Sequence, residues 1–520
     1  MTDAADTPFM VGVIALPLAG AVAAFVWPRR APAVGLCVAG LVWIPVLGML
    51  IQLVSHGVQH HELGGWAAPL GIALRADGLS VLLVLMVALV GGTVSGYAAG
   101  YFGEVRRSTS PSFSSSPPGG DGEGSEDGGR AHARACFWPL WLFLWAALNA
   151  LLLSRDLFNL YVTLELLGLS AVALVALADA PVALGAAMRY LLVSLLGSLA
   201  FLLGVALVYA AYGTLDLPLL KAALGGPVAP VAPVALGLMT AGLLMKTALF
   251  PLHFWLPPAH ANAPAPVSAL LSALVVKASF YVLLRLWFEA FAGAATGAAM
   301  DFLGVLGAAA VLWGSYQALC QSRLKLLVAY STVAQLGYLF LLFPLSGAAA
   351  GGFTAWAGGL YFVLAHACAK AVMFLSAGSL MRAAGHDRLA GLGETVRAMP
   401  VTAFAFALAA VSIIGLPPSG GFIAKWLLLN AALGDAQWWW VGVMAAGTGM
   451  AAAYALRVLR LPFVGTASLP PVRRVPRSME WTTLGLALAT LGLGFTAAPL
   501  LEWLRVGAPV GGPGLVGGQP

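Results

Sequence analysis

The sequence predicts an all-α polytopic membrane protein, and three observations lead to this fold class. Only 9% of the 520 residues are charged, while 61% are hydrophobic. The mean hydropathy of the chain is +0.92. Soluble globular chains carry about 25% charged residues, so a soluble enzyme and a largely disordered chain are both excluded. The apolar runs are long and continuous, whereas a membrane β-barrel would show short alternating segments.

We count fourteen apolar segments, which is the expected number of transmembrane helices, since one such helix needs about 20 residues. The segments are residues 8–27, 33–55, 78–102, 135–154, 157–177, 187–212, 229–250, 266–288, 301–319, 324–345, 354–381, 401–432, 438–459 and 480–501. Residues 103–134 are rich in Ser, Pro, Gly and acidic residues and are predicted to form a flexible loop. The Gly- and Pro-rich tail 506–520 is predicted to be disordered.

The distribution of Lys and Arg predicts that both termini lie on the outer side of the membrane. With that orientation, 17 of the 26 basic residues fall in loops on the inner side and five on the outer side. This bias follows the positive-inside rule. The inner set includes Lys325, and the outer set includes Arg285.

The four remaining basic residues are all lysines inside apolar segments. They are Lys246, Lys277, Lys370 and Lys425. Glu165 is the acidic residue well inside a segment, and His366 lies four residues before Lys370 on the same helix face. A charge at the bilayer centre costs about 2.5 to 3.5 kcal/mol on insertion scales. Such groups either pair to hold helices together or form an ion pathway. The large number of them in this chain favours the ion pathway.

A proton relay is the chemistry that this set of residues suggests. Burial lowers the pKa of a lysine in general, and a neighbouring carboxylate raises it again. Movement of a carboxylate toward or away from a lysine could therefore control whether the lysine holds its proton. No cofactor is needed for such a relay.

Prolines and glycines predict breaks in helices 7 and 12. Pro251, Pro257 and Pro258 follow Lys246, and the sequence IIGLPPSGGFIAK precedes and includes Lys425. Irregular backbone at membrane depth is tolerated where it is buried in protein or lines a wet cavity. Two breaks in corresponding places indicate inverted repeats with the ion site between them. The spacing predicts that helices 4–8 are repeated as helices 9–13.

Weaker candidates for an auxiliary proton path lie near these positions. His253 and His260 flank the first break, where they could carry protons or pack, and Ser331, Thr332 and Gln335 in segment 10 could hold water or join helices. The sequence contains no phosphate-binding glycine motif in a strand–helix context. The four cysteines are far apart, so neither a zinc site nor a Cys-ligated cluster is indicated. No metal and no cofactor are predicted. The charge pattern follows topology, so nucleic-acid binding is not predicted either.

Several motifs resemble a known superfamily. They are MKTALFPLHFWLPPAH at 245–260, APAPVSALLSALVVK at 263–277, KLLVAYSTVAQLGY at 325–338 and LAHACAKAVMFL at 364–375. In combination they closely resemble the proton-translocating antiporter-like subunits of respiratory complex I, membrane-bound hydrogenases and Mrp-type cation/proton antiporters. The resemblance covers roughly residues 65 to 460. Residues 64–80 are similar to the D-type subunit of Mrp antiporters, and a lysine at 425 differs from the glutamate of one complex I type.

The resemblance implies roles for individual residues. It implies a first half-channel built on Glu165 and Lys246, a bridging Lys277, and a second half-channel with His366 and a terminal Lys425. Lys370 matches a further lysine that the superfamily often carries. The apolar segments and their spacing set the predicted domain boundaries. They are helices 1–3 in 1–102, the cytoplasmic loop 103–134, repeats at 135–288 and 301–459, a loop with helix 14 in 460–505, and the tail 506–520.

The main functional hypothesis is a proton-translocating subunit of a multisubunit Na+/H+ antiporter in the bacterial inner membrane. Its partners would be other membrane subunits, the lipid bilayer, protons and Na+. The first alternative is a membrane-arm subunit of a redox complex, either NADH:quinone oxidoreductase or a membrane-bound hydrogenase. Further alternatives are the arm of a proton-driven CO2-hydrating complex and a subunit that does not translocate protons. On the main hypothesis the chain is a transport subunit without a redox centre of its own.

Overall fold

The computed structural model describes residues 8–103, 123–226, 229–347, 352–463 and 473–510, which fold almost entirely into helices. The helices of the N-terminal half are α1 Pro8–Val26, α2 Ala31–Leu41, α3 Trp43–His56, α4 Gly78–Tyr101, α5 Glu123–Leu153, α6 Leu157–Ala176, α7 Pro181–Tyr212, α8 Leu217–Ala223, α9 Val231–Thr247, α10 Leu256–Asn262, α11 Ala265–Leu270 and α12 Val276–Arg285. Two π-helical segments, Leu271–Val275 and Leu286–Ala290, continue α11 and α12 into one span.

The C-terminal half is also helical. Its helices are α13 Gly297–Cys320, α14 Leu324–Phe340, α15 Leu342–Ser346, α16 Gly352–Ala384, α17 Gly393–Ala398, α18 Pro400–Ile414, α19 Gly420–Gly434, α20 Trp438–Leu459, α21 Arg477–Phe495 and α22 Ala497–Arg505. In the part of the chain that the structure describes, the one sheet is an antiparallel pair, β1 Gln59–Glu62 and β2 Ala73–Ala76.

Among the residues that the structure describes, twelve helical spans are long and apolar enough to cross a membrane, and the bent pair α21 and α22 would make a thirteenth. The predicted all-helical multi-pass fold is therefore confirmed. Helices α18 and α19 are shorter apolar helices that together occupy predicted segment 12. The total of fourteen and the inverted relation of the two halves stay predictions.

The first predicted break follows α9. Ala248 adopts a left-handed conformation with φ 57°, and its amide bonds back to the carbonyls of Leu244 and Met245 to end the helix. A turn through Pro251 then leads to the short 3-10 helix Leu252–Trp255 and to α10. Proline lacks the amide donor that a continuing helix needs, which explains why α9 stops one residue after Lys246.

The second predicted break separates α18 from α19. Gly415 ends α18 with φ 88°, a conformation that glycine adopts without a steric penalty. Ser419 then begins α19 by accepting a hydrogen bond from the amide of Phe422. Lys425 lies in the second turn of α19 and therefore faces the end of α18 across the break.

Two spans form the centre of the bundle. The apolar residues of the span Ala265–Ala290 and of helix α16 are buried inside the protein. In the peripheral helix α1, only a third of the apolar stretch is buried. Helix α16 contacts α11, α14, α18 and α19. The central helices thus carry Lys277, His366 and Lys370, away from the periphery.

Two predicted loops fall largely outside the described residues. Most of the predicted loop 103–134 does so, but α5 already begins at Glu123. Of the predicted disordered tail, residues 506–510 are described, and the carbonyl of Val506 accepts a hydrogen bond from the amide of Gly78 at 2.9 Å. The remainder, 511–520, lies outside the described residues.

Candidate functional site

An ion pair joins Glu165 to Lys246 inside the bundle. The Nζ atom of Lys246, in the last turn of α9, lies 3.1 Å from Oε1 of Glu165 on α6. It also donates a hydrogen bond of 2.9 Å to Oγ of Ser194 on α7. The side chains of Lys246 and Glu165 are 7% and 19% exposed. With an effective dielectric constant of about 20, two unit charges at this distance attract each other by about 5 kcal/mol.

A separate pair of hydroxyl groups joins α9 to α12 next to this ion pair. Thr247, which follows Lys246, is hydrogen-bonded through Oγ1 to Oγ of Ser279 on α12 at 2.9 Å. The same helix carries Lys277, whose Nζ donates to the carbonyl oxygen of Ser272 in the π-helical segment. Lys277 is therefore held at the centre of the bundle by a neutral acceptor.

Two neighbouring hydroxyl groups on helix α14 form hydrogen bonds to residues of the surrounding helices. The hydroxyl of Ser272 is hydrogen-bonded to that of Thr332 at 3.0 Å. On the adjacent position of α14, Oγ of Ser331 accepts a hydrogen bond from Nζ of Lys370, which also donates to the carbonyl of Val328 at 3.2 Å. The predicted auxiliary residues Ser331 and Thr332 thus lie between Lys277 and Lys370.

Gln335 extends the same face of α14 toward the second break. Its Nε2 donates to the hydroxyl of Tyr454 on α20 at 3.1 Å. Its Oε1 is buried and has no hydrogen-bond partner among the described residues. All three predicted auxiliary residues of segment 10 are therefore buried and point into the bundle.

His366 lies among three of the lysines. Both of its ring nitrogens are buried and neither has a hydrogen-bond partner in the part of the chain that the structure describes. The charges of Lys277, Lys370 and Lys425 all act on this ring. A histidine with two free nitrogens can accept a proton at one and donate from the other.

Lys425 occupies the second break without a carboxylate among its described contacts. Its Nζ donates to the carbonyls of Ile413 and Ile414, at 3.1 and 3.0 Å, which end α18. The ammonium also lies 4.4 Å from the centre of the Tyr338 ring, where the face of the ring attracts a cation. The partial negative charge at a helix C-terminus stabilises the lysine in the same way.

The two histidines near the first break differ in their surroundings. His253, in the 3-10 helix after the break, stacks on Phe250 at 5.6 Å, and its Nδ1 has no partner among the described residues. His260, on α10, is fully buried, and the charges of Lys325, Lys370 and Lys277 act on it. The structure thus brings His260, but not His253, close to the row of lysines.

Two of the basic residues that were assigned to loops are instead buried within helices. Lys325 lies in the first turn of α14 and is 3% exposed. Arg285 ends α12 and is also 3% exposed. Both lie within predicted apolar segments, 324–345 and 266–288, and this position was the signal that could have identified them.

Arg285 belongs to a buried ion network between α12 and the start of α4. Its guanidinium donates two hydrogen bonds of 2.7 Å to the carboxylate of Asp77 and one to Glu289. Arg75 on β2 pairs with both acids at 3.0 Å. Burial alone would raise the pKa of Asp77, but the guanidinium groups of Arg285 and Arg75 hold it below its usual value. The network fixes the end of the span that carries Lys277.

The six predicted site residues, called the polar row below, all lie within the apolar bundle. The row contains donors and acceptors on α6, α9, α12, α14, α16 and α19. Such an arrangement can pass protons between neighbouring groups whose charges influence each other. Among residues 8–103, 123–226, 229–347, 352–463 and 473–510, no group of three or more His, Cys, Asp and Glu side chains could hold a metal ion.

Comparisons with known proteins agree with this architecture. The family model of the NADH:quinone oxidoreductase/Mrp antiporter transmembrane region matches residues 154–451. The chain is 35% identical to the N-type subunit of NADH-quinone oxidoreductase of Desulforudis audaxviator, over 85% of this chain and 86% of that protein. It is 28% identical to the D-type subunit of the Na(+)/H(+) antiporter of Alkalihalophilus pseudofirmus, over 76% of this chain and 74% of that protein.

Solved structures share the fold. A chain of the Mrp complex from Dietzia sp. matches with a TM-score of 0.82 and 24% identity, over 98% of both chains. A chain of an archaeal membrane-bound sulfane sulfur reductase matches with a TM-score of 0.81 and 24% identity, over 96% of this chain and 97% of that one. The family match covers the segment with all the predicted site residues, and the chain belongs to the NADH:quinone oxidoreductase/Mrp antiporter transmembrane family.

Proposed function

We propose that this chain is a proton-translocating subunit of a multisubunit cation/proton antiporter, with Na+ as the exchanged cation. The observation that carries the proposal is the Glu165–Lys246 ion pair at a helix break, inside a bundle that also buries Lys277 and Lys370. Two relatives that are named as D-type subunits of Na(+)/H(+) antiporters support the antiporter assignment.

The pair would act as an electrostatic switch. With the carboxylate of Glu165 at 3.1 Å, the ammonium form of Lys246 is stabilised. When the carboxylate moves away, the buried ammonium loses that stabilisation and gives its proton to the next group in the row. Lys277, Lys370 and His366 would carry the proton onward, and Lys425 would release it at the second break.

The membrane potential can drive such a transfer. One charge that crosses 100 mV changes in free energy by about 2.3 kcal/mol, which is about half of the attraction of about 5 kcal/mol between Glu165 and Lys246 at 3.1 Å. The potential would therefore contribute to proton release when the pair moves apart.

The proposal extends to location and partners. Both termini would lie on the outer side of a bacterial plasma membrane, because most of the arginines gather at the opposite face. Among these, Arg323, Arg388 and Arg457 line one surface cavity. Other membrane subunits would complete the complex, as the solved structures that share the fold come from multisubunit assemblies. Within such a complex the chain would be a transport subunit without a redox centre of its own.

The second candidate is the membrane arm of a redox complex. It is favoured by the 35% identity to an N-type subunit of NADH-quinone oxidoreductase, which exceeds the 28% identity to a D-type antiporter subunit. The same row of residues would then be driven by electron transfer in partner subunits.

One experiment separates the two candidates. The assembly that contains the chain is purified from its native membrane and reconstituted in vesicles with a pH-sensitive dye. The antiporter proposal predicts that a Na+ gradient alone generates a pH difference. A pH difference that appears only on addition of an electron donor and a quinone, with iron–sulfur subunits in the preparation, would favour the redox complex.

A further inference from the structure

Lys325 lies where the surface of the protein meets its core. Arg323, two residues earlier, forms an ion pair of 2.7 Å with Asp387 and has a side chain that is 41% exposed. Lys325 itself is 3% exposed. The amide of Leu324 bonds to the carbonyl of Asp387 at 2.8 Å, so the segment around Asp387 covers the start of α14. The charges of Asp387 and Arg323 both act on Lys325.

The contacts of Lys325 on its inner side are neutral. Its Nζ donates to the carbonyl of Ala263 at 2.5 Å. Ala263 lies in the connection between α10 and α11. Among the described residues no carboxylate forms a salt bridge with Lys325, so nothing on its inner side fixes the ammonium form.

His260 lies within electrostatic range of both Lys325 and the central lysines. It is fully buried, and neither ring nitrogen has a hydrogen-bond partner among the residues that the structure describes. Its ring stacks on Phe374 of α16 at 4.6 Å. The charges of Lys325, Lys370 and Lys277 all act on it. A buried polar ring without a hydrogen-bond partner lowers the stability of the fold, and a role in proton transfer is one explanation for its presence.

We propose that Lys325 is a proton carrier that connects the face with Arg323 and Asp387 to the central lysines through His260. The ammonium of Lys325 would give a proton to a ring nitrogen of His260, which would pass one to the amine of Lys277 or Lys370. The neutral Lys325 would regain a proton from water near Asp387. This third branch meets the row at its central lysines and not at its Glu165–Lys246 or Lys425 end, transport requires all three, and the branch rests on the proposed function.

A structural role for Lys325 makes a different prediction. If the side chain only ties α14 to the connection at Ala263, any long donor would suffice. Arginine keeps the positive charge and the donors but does not lose its proton in proteins. Glutamine keeps a donor without a charge. Lys325→Arg therefore separates proton transfer from attachment.

The test compares variants of the full assembly in reconstituted vesicles. The variants are Lys325→Arg, Lys325→Gln, His260→Gln and the double variant of Lys325→Arg with His260→Gln, and the control is Lys221→Arg, at an exposed lysine of α8. Proton transport is measured while the pH is varied on one side of the membrane at a time.

We expect Lys325→Arg and His260→Gln each to lower transport by about a hundredfold, as positioned proton-transfer groups contribute about that much. Each variant should also lose the dependence on pH at the face with Arg323, and the double variant should be no slower than either single one, since both act in one branch. Lys221→Arg should match the unmodified protein.

Wild-type transport with an unchanged pH profile in Lys325→Arg would overturn the proposal. Failure of both Lys325 variants to assemble would do so too, because the side chain would then be structural. If Lys246→Ala is also fully active, the proposed function itself fails. If Lys246→Ala is inactive while Lys325→Arg is normal, only the third branch is wrong.

Discussion

The hydroxyl groups of Ser272 and Thr332 are joined by a hydrogen bond of 3.0 Å that connects the central span to α14. Ser272 also receives, through its carbonyl, the hydrogen bond of Lys277. Thr332 adjoins Ser331, which accepts from Lys370. This single bond therefore lies between the two most central lysines of the row.

Loss of this hydroxyl bridge should slow proton transport. Thr332→Val keeps the shape of the side chain and removes the hydroxyl, so we expect about a fivefold lower rate, the equivalent of one hydrogen bond of about 1 kcal/mol. The rate is measured with a pH-sensitive dye in vesicles. Thr490→Val is the matched control, since Thr490 is buried but bonds only to the carbonyl of Leu486 in its own helix. Equal rates in both variants would exclude a role for the bridge.

The geometry of the second break should be essential for Lys425. In Gly415→Ala, a Cβ atom at φ 88° would lie 2.7 Å from Cδ of Lys425, and the left-handed conformation itself would cost about 1 to 2 kcal/mol. We expect transport to fall severalfold because the ammonium leaves the carbonyls of Ile413 and Ile414. Gly442→Ala in α20 is the control, as its Cβ would meet no atom within 4 Å. A normal rate in Gly415→Ala would contradict this account of the break.

The buried ion network around Arg285 should stabilise the fold. Asp77→Ala would leave Arg285 without its two-fold carboxylate contact, and breaking a buried pair in this way costs about 3 to 5 kcal/mol. We expect a clearly lower midpoint of thermal unfolding in detergent. Arg323→Gln is the control, because its side chain is 41% exposed and surface pairs contribute about 1 kcal/mol or less. Similar midpoints for the two variants would argue against the network.

The same network predicts a dependence of stability on pH. The pKa of Asp77 is lowered in the folded protein from an ordinary value of 3.8. Its contribution to stability is therefore fully present above about pH 4 and is lost as the pH falls through the lower folded-state pKa. The difference in unfolding midpoint between the unmodified protein and Asp77→Asn should shrink below about pH 4. A difference that stays constant down to about pH 3 would show that the charge of Asp77 is not responsible.

The sequence was sufficient to predict the fold class and to select the residues proposed for the site. Long apolar runs have few alternatives to membrane helices, and a lysine within such a run is conspicuous. The breaks after Lys246 and before Lys425 could be predicted because proline and glycine act locally on the backbone. Pairing of Glu165 with Lys246 was implied only by the resemblance, and the structure places the two side chains in contact.

The residues that were missed lie at the ends of helices. Lys325 and Arg285 stand near loops in sequence, and burial there depends on which other segments cover the helix ends. The carbonyl of Ala263 accepts a hydrogen bond from Lys325. The carboxylate of Asp77, more than 200 positions away in the sequence, accepts one from Arg285. The position inside an apolar segment could have placed each residue in a helix, but its buried partners are set by tertiary packing, which local sequence patterns do not report.

The central claim is that Glu165 and Lys246 form a working proton switch, and its most direct test is proton transport by Glu165→Gln and Lys246→Ala in vesicles that contain the complete assembly. Glu62→Gln, at an exposed position of β1, is the control for the loss of one carboxylate. We expect both site variants to assemble and to lose proton-coupled transport by at least about a hundredfold, with Glu62→Gln unaffected. Transport at the normal rate in either site variant would contradict the claim.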